Sequence, residues 1–104
     1  MSTLNKTLEI LEKVHLVEGY EDFSINYANR NSGWLSYQLH KDRDFSVLAA
    51  ISTLRSVRRV KTFYFGKKQR LGALADEYID ALEQADALLQ THLEEQYGII
   101  QIKQ

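Results

Sequence analysis

The densest run of ligand-type side chains is His40-Lys41-Asp42-Arg43-Asp44. His40, Asp42 and Asp44 stand two apart, so in extended backbone all three would project to one side, where imidazole nitrogen and carboxylate oxygen can share a cation. Lys41 and Arg43 interleave, no fourth ligand is at hand, and aspartates just ahead of a helix ordinarily cap it, so no metal site is expected. Glu9 and Glu12, and Glu83 with Asp86, pair at helical spacing, where carboxylates are usually solvated. His15 and His92 fall on apolar helical stripes and are expected in the core. Gly66-Lys67-Lys68 lies where a strand would meet a helix, a place that favours anions, but the spacing of a phosphate-binding loop is missing. There is no Cys, no HExxH and no GxSxG. No nucleophile, base and orienter assemble from neighbours in sequence, so no catalytic residue and no cofactor are expected.

Binding surfaces are better represented. Trp34-Leu35-Ser36-Tyr37-Gln38-Leu39-His40 alternates, with Leu35, Tyr37 and Leu39 on one side and Trp34, Ser36, Gln38 and His40 on the other. Phe23-Ser24-Ile25-Asn26-Tyr27 alternates likewise. As strands, these would carry an outer face of Trp34, Asn26, Ser36, Gln38 and His40, with Arg30 in the loop beside it. A tryptophan on an otherwise polar face is a common anchor for a protein partner. The basic residues Arg55, Arg58, Arg59, Lys61, Lys67, Lys68 and Arg70 lie in a stretch, Phe45 to Ala75, that has no acid. Phe63, Tyr64 and Phe65 interleave with them, a pattern suited to phosphates and stacked bases. From Asp76 to Glu95 the charged side chains are acidic, with no Lys or Arg.

The elements needed to hold these surfaces follow from periodicity. Ser2 to Leu16 reads as a helix stopped by Gly19. Phe23 to Tyr27 and Trp34 to His40 read as a hairpin around the turn formers Asn29 to Gly33. Asp42 and Asp44 are candidate caps for a helix carrying Val47, Leu48, Ile51 and Leu54 and ending near Arg58. Val60 to Phe65 reads as a third strand, and Lys67 to Tyr97 as one long helix closed by Gly98. The tail, Ile99 to Gln104, reads as a short strand. The expected fold class is α+β, in the order α-β-β-α-β-α, with a small antiparallel sheet of strand order 2-1-3 and helices on one face. The long C-terminal helix would span about 45 Å, against a diameter of roughly 33 Å for a domain this size. Its far leucines, Leu88, Leu89 and Leu93, would then need a partner, with a second copy the natural one.

The chain has 104 residues, 44% of them apolar and 26% charged, with a net charge of −1 and no Pro. These values fit one domain over 1–104. No apolar run approaches the roughly 20 residues that span a bilayer, and the N-terminus lacks a secretory signal, so a cytoplasmic protein with no membrane partner is expected. The expected function is a small non-enzymatic protein, homodimeric, that regulates or inhibits another macromolecule by protein–protein contact. The alternative is a nucleic-acid-binding regulator using residues 55–70, and the third reading is a small-molecule sensor or enzyme.

Overall fold

Two serines with extended backbone open the longer helices of the N-terminal half. Ser2 Oγ accepts from the Asn5 amide at 3.1 Å and Ser46 Oγ from the Ala49 amide at 3.2 Å. They start α1 (Thr3–Lys13) and α4 (Val47–Phe65). Between them lie two short helices. The first is α2 (Tyr20–Asp22), which runs on as a π-helical segment, Phe23–Tyr27, and the second is α3 (Trp34–His40). A one-turn helix α5 (Lys68–Leu71) and the long α6 (Ala73–Tyr97) complete the chain. The structure, a computed structural model, describes residues 2–100, and among the described residues there is no strand.

The α+β expectation is therefore overturned, together with its sheet of order 2-1-3. Each segment read as a strand buries a helical set of positions. In the first, Phe23, Ser24, Tyr27 and Ala28 are buried while Ile25 and Asn26 face solvent. In the second, Leu35 and Gln38 are buried and Tyr37 is exposed. Val60 to Phe65 is the last part of α4, where Val60, Lys61 and Tyr64 turn inward and Phe63 and Phe65 outward. Five to seven residues sample fewer than two helical turns, so alternation at period two and a stripe at i, i+3, i+4 are hard to separate over that length. The rod over Lys67 to Tyr97 is also corrected. Gly72, at φ +56° and ψ −125°, breaks it into α5 and α6. The remaining 25 residues of α6, about 37 Å at 1.5 Å each, fit within a molecule of 41 × 29 × 22 Å. The helix does not overshoot, and Leu89 and Leu93 are buried in the chain's own core. The strand expected over Ile99 to Gln104 falls largely outside the described residues.

The core is built on an antiparallel pair, α4 against α6, with α1 laid antiparallel along α6. Leu4, Leu8 and Leu11 of α1 share one buried cluster with Leu54 and Val57 of α4 and Leu82, Ala85, Leu89 and Leu93 of α6. Phe23, Leu35 and Phe45 close one end, with ring centroids of Phe23 and Phe45 6.4 Å apart. Arg58 of α4 clasps Asp86 of α6 through Nε at 3.0 Å and Nη2 at 3.2 Å.

Four helix ends share one device. After α1, the π segment, α3 and α6, a residue adopts the left-handed conformation: His15 (φ 64°), Asn29 (58°), Asp42 (53°) and Gly98 (69°). The next amide in each case reaches back over the closing turn, five residues in Leu16 N to Leu11 O at 3.0 Å and Arg43 N to Gln38 O at 2.9 Å, six in Arg30 N to Ser24 O at 2.8 Å and Ile99 N to Leu93 O at 3.1 Å. This closure satisfies orphan carbonyls and usually takes glycine. Here only the last is glycine. His15, placed in the core by its periodicity, is exposed because α1 stops two residues before it.

Asp44 does not cap α4. Its carboxylate reaches back across the molecule and accepts the Thr3 amide at 3.0 Å and the Leu4 amide at 2.9 Å, capping α1.

Two stability changes follow. Asp44→Ala removes that long-range cap and should cost about 1–2 kcal/mol, read as a fall of the urea midpoint with unchanged slope. His15→Gly should raise stability by about 0.5–1 kcal/mol, because it relieves a left-handed side chain without touching any buried contact. A lower melting temperature for His15→Gly would refute the strain assigned to that cap.

Candidate nucleic-acid interface

The α3 helix is held by polar contacts that fix both its ends and its roll. Ser24 Oγ, fully buried, donates to Tyr20 O at 2.8 Å and accepts the Leu35 amide at 3.0 Å, locking α3 to the preceding short helix. Asn31 Oδ1 accepts the Gly33 amide at 3.1 Å, shaping the turn into α3. Gln38 Nε2 donates to Asp44 O at 3.1 Å, and Trp34 packs on Phe45 with centroids 6.2 Å apart. With Leu35 and Gln38 facing inward, the opposite face of α3 is delivered to solvent.

That free face carries Ser36, Tyr37 and His40, followed by Lys41 and Arg43, all exposed. The Tyr37 ring, 51% exposed, has two cations close by: Lys41 Nζ is 6.0 Å and the Arg43 guanidinium 5.7 Å from its centroid. Asp42 is the one acid in this stretch with an exposed side chain, since Asp44 is turned toward α1. An aromatic with two cations close to it, beside hydroxyl and imidazole groups, can neutralise phosphates and donate or accept at base edges.

The residues proposed for a protein-binding face are dispersed. Ser36 and His40 do share the free face of α3. Trp34 is half-buried against Phe45, and Gln38 is buried. Asn26 lies on the π segment and donates to Asp22 at 2.7 Å, while Arg30 is half-buried in the turn. Sequence reasoning missed Tyr37, Lys41 and Arg43. Their spacing, with Tyr37 and Lys41 four apart, carries the signal once the segment is read as helix.

The basic segment is also divided. Arg58 and Lys61 both hold Asp86, the lysine at 3.3 Å, and Lys68 pairs with Asp76 at 3.3 Å. Lys67 sits over Phe63 at 5.4 Å. Arg55 and Arg59, one turn apart on α4, are exposed beside the π segment, and Arg70 is exposed on α5. Burial pushes the Asp86 carboxyl up, but the hydrogen bonds and charges of Arg58 and Lys61 outweigh it and hold it below the usual carboxylate range. Burial, together with the charges of Asp22 and Tyr64, raises the Tyr27 phenol to about 12, and its hydroxyl donates to Leu16 O at 3.1 Å.

His40, Asp42 and Asp44 do not converge, and among the described residues no group of three His, Asp or Glu side chains is placed to hold a metal. His92 is buried on α6, with Nδ1 3.2 Å from Thr3 Oγ1 and Nε2 3.4 Å from Phe45 O. Among the described residues no helix is long and apolar enough to cross a membrane.

These features define a small helical protein that presents a polar, aromatic and cationic helix face from a rigid base. The chain belongs to a family of unknown function, DUF6626, whose profile matches residues 4–98. No curated protein and no solved structure matches it.

The Arg58–Lys61–Asp86 cluster has a defined pH signature. The folded Asp86 value lies below the ordinary 3.8, so its stabilisation is complete above the unfolded value and disappears as pH falls through the folded one. The stability gap between the native chain and Asp86→Asn should be wide at neutral pH and close in that acid window. A gap independent of pH would remove the carboxylate from this role.

Proposed function

We propose that the protein is a DNA-binding regulator that reads the duplex with the exposed face of α3. The observation that carries this reading is the pairing of two short helices, Tyr20–Tyr27 and Trp34–His40, joined by a turn with left-handed Asn29 and locked by the Ser24–Leu35 hydrogen bond. A helix supported in this way, with one face in the core and the other free, resembles the supported recognition helix that a helix-turn-helix protein inserts into the major groove, although the connection here, residues 28–33, is longer than that motif's turn. Ser36, Tyr37 and His40 would face base edges, and Lys41 and Arg43 the phosphates. A cytoplasmic location belongs to the same reading. The net charge of −1 sets no obstacle, because affinity for phosphate depends on the local cations that displace counterions.

A second reading, regulation by contact with another protein, is favoured by the far end of the α4–α6 pair. There Phe63, Phe65, Leu71 and Leu74 are 38–55% exposed, more apolar surface than an isolated helical hairpin tip needs.

Fluorescence anisotropy with a labelled mixed-sequence duplex, followed by selection of preferred sites from a random pool, separates the two. Affinity should fall steeply between about 50 and 200 mM salt. Lys41→Ala and Arg43→Ala should each lower the slope of log K against log salt by about one. Tyr37→Ala should cost about 1–3 kcal/mol and relax sequence preference. Absence of binding at low salt, or affinities unchanged in all three variants, would overturn the DNA reading.

A further inference from the structure

Where the π segment meets α4, the surface opens into a pocket of about 380 Å³, with Ile25, Asn26 and Asn29 on one wall and Ser52, Arg55 and Arg59 on the other. We propose that this pocket binds a small phosphorylated metabolite, gripping its phosphate monoester between Arg55 and Arg59. The inference stands on the pocket itself and does not need the DNA reading.

Charge selects the occupant. Arg55 and Arg59 supply the charge of the lining, which carries no acid among the described residues. On the far side of the same helix Arg58 and Lys61 are spent on Asp86. Arg59 Nη2 donates to Ser56 Oγ at 3.3 Å, which holds that guanidinium against the pocket floor. Among the described residues, the Arg55 guanidinium, the Asn29 side-chain amide and the Ser52 hydroxyl have no hydrogen-bond partner within the chain. Asp22, just ahead of the π segment, is engaged by the Glu18 amide at 2.9 Å and by Asn26 Nδ2 at 2.7 Å.

The pocket is preformed. Ser56 Oγ, on a buried residue, donates to Tyr27 O at 2.8 Å and ties α4 to the end of the π segment. A helix end of this polarity ordinarily repels an anion through its free carbonyls. Here those carbonyls are occupied: Phe23 O accepts the Ala28 amide at 2.9 Å, Ser24 O the Arg30 amide at 2.8 Å, and Tyr27 O the Ser56 hydroxyl. Two guanidinium forks match the terminal oxygens of a monoester, which carries a charge of about −1.5 to −2 near neutral pH. A phosphate of the duplex backbone carries a single charge and lies on a broad surface, whereas this site is a concavity between two elements. Asn26, Asn29 and Ser52 can hydrogen-bond the hydroxyls of a sugar-like skeleton, with Ile25 against its apolar side. The volume falls in the range of small-molecule pockets, roughly 300–1,000 Å³.

Titration of the isotope-labelled full chain with ribose-5-phosphate, followed by amide chemical shifts, tests the site. The shifts should saturate with a dissociation constant of about 1 mM or below and centre on residues 25–29 and 52–59. Arg55→Gln and Arg59→Gln should each weaken binding about tenfold, with an unchanged circular dichroism spectrum because both side chains are exposed. Arg70→Gln, which removes an exposed cation on α5, should leave the affinity as it is. Ribose without phosphate should cause no saturable shift. Shifts that never saturate, binding of ribose alone, or an equal loss in Arg70→Gln would each overturn the proposal. Weaker duplex binding by the Arg55 and Arg59 variants in a chain that ignores ribose-5-phosphate would give the pocket to the DNA backbone, overturning the proposal while leaving the α3 reading in place.

Discussion

The Asp44 carboxylate is the point at which the chain's distant parts are tied together. It lies in the connection between α3 and α4, yet it closes the open N-terminus of α1 some 40 residues away, and its Oδ1 also accepts the Phe45 amide at 2.8 Å. Its backbone carbonyl receives the Gln38 side chain from α3. The buried His92 of α6 sits 3.9 Å from Oδ2 and bonds Thr3 at the same helix start. Four segments thus meet at one residue. The carboxylate faces free amides at the positive end of a helix, where a negative charge is favoured. With that end fixed, Phe45 is seated between Phe23, Trp34 and His92, and α3 has a rigid floor on which its outer face can be presented.

Much of the helical half of the fold was legible. The stripe Leu4, Leu8, Leu11 gave α1, and Ala85, Leu89 and His92 gave the inward face of α6. The short helices were not legible, for two physical reasons. Their windows are too brief to separate one periodicity from another, and aromatic and β-branched residues such as Phe23, Ile25 and Tyr27 favour strands when read alone. The helix ends were obscured as well. Glycine marks a left-handed closure, but His15, Asn29 and Asp42 perform it here, so Gly19 drew attention to a place where α1 had already ended. Tertiary packing overrode local preference, as it does wherever burial outweighs propensity.

The surface chemistry was partly visible for a related reason. A charge count along the chain cannot tell a cation that is consumed from one that is offered. Arg58 and Lys61 neutralise a single carboxylate inside the α4–α6 seam, while Lys41 and Arg43, two ordinary members of a mixed run, lie close to an exposed tyrosine. Only the folded arrangement sorts them. The acidic run on α6 looked unpaired in sequence, and one of its members, Asp86, turns out to be the hub of a three-residue cluster with partners from another helix.

The π-helical stretch at Phe23–Tyr27 has an evolutionary corollary. A widened turn accommodates one residue more than an α-helix over the same rise. The surplus is absorbed where Ile25 and Asn26 bulge into solvent, while Ser24 and Tyr27 on either side keep their inward contacts. Relatives whose chains are shorter by one at this place could close it as plain α-helix and leave both flanks in register. Length variation in the lineage should therefore gather at this bulge, sparing the junction that follows it.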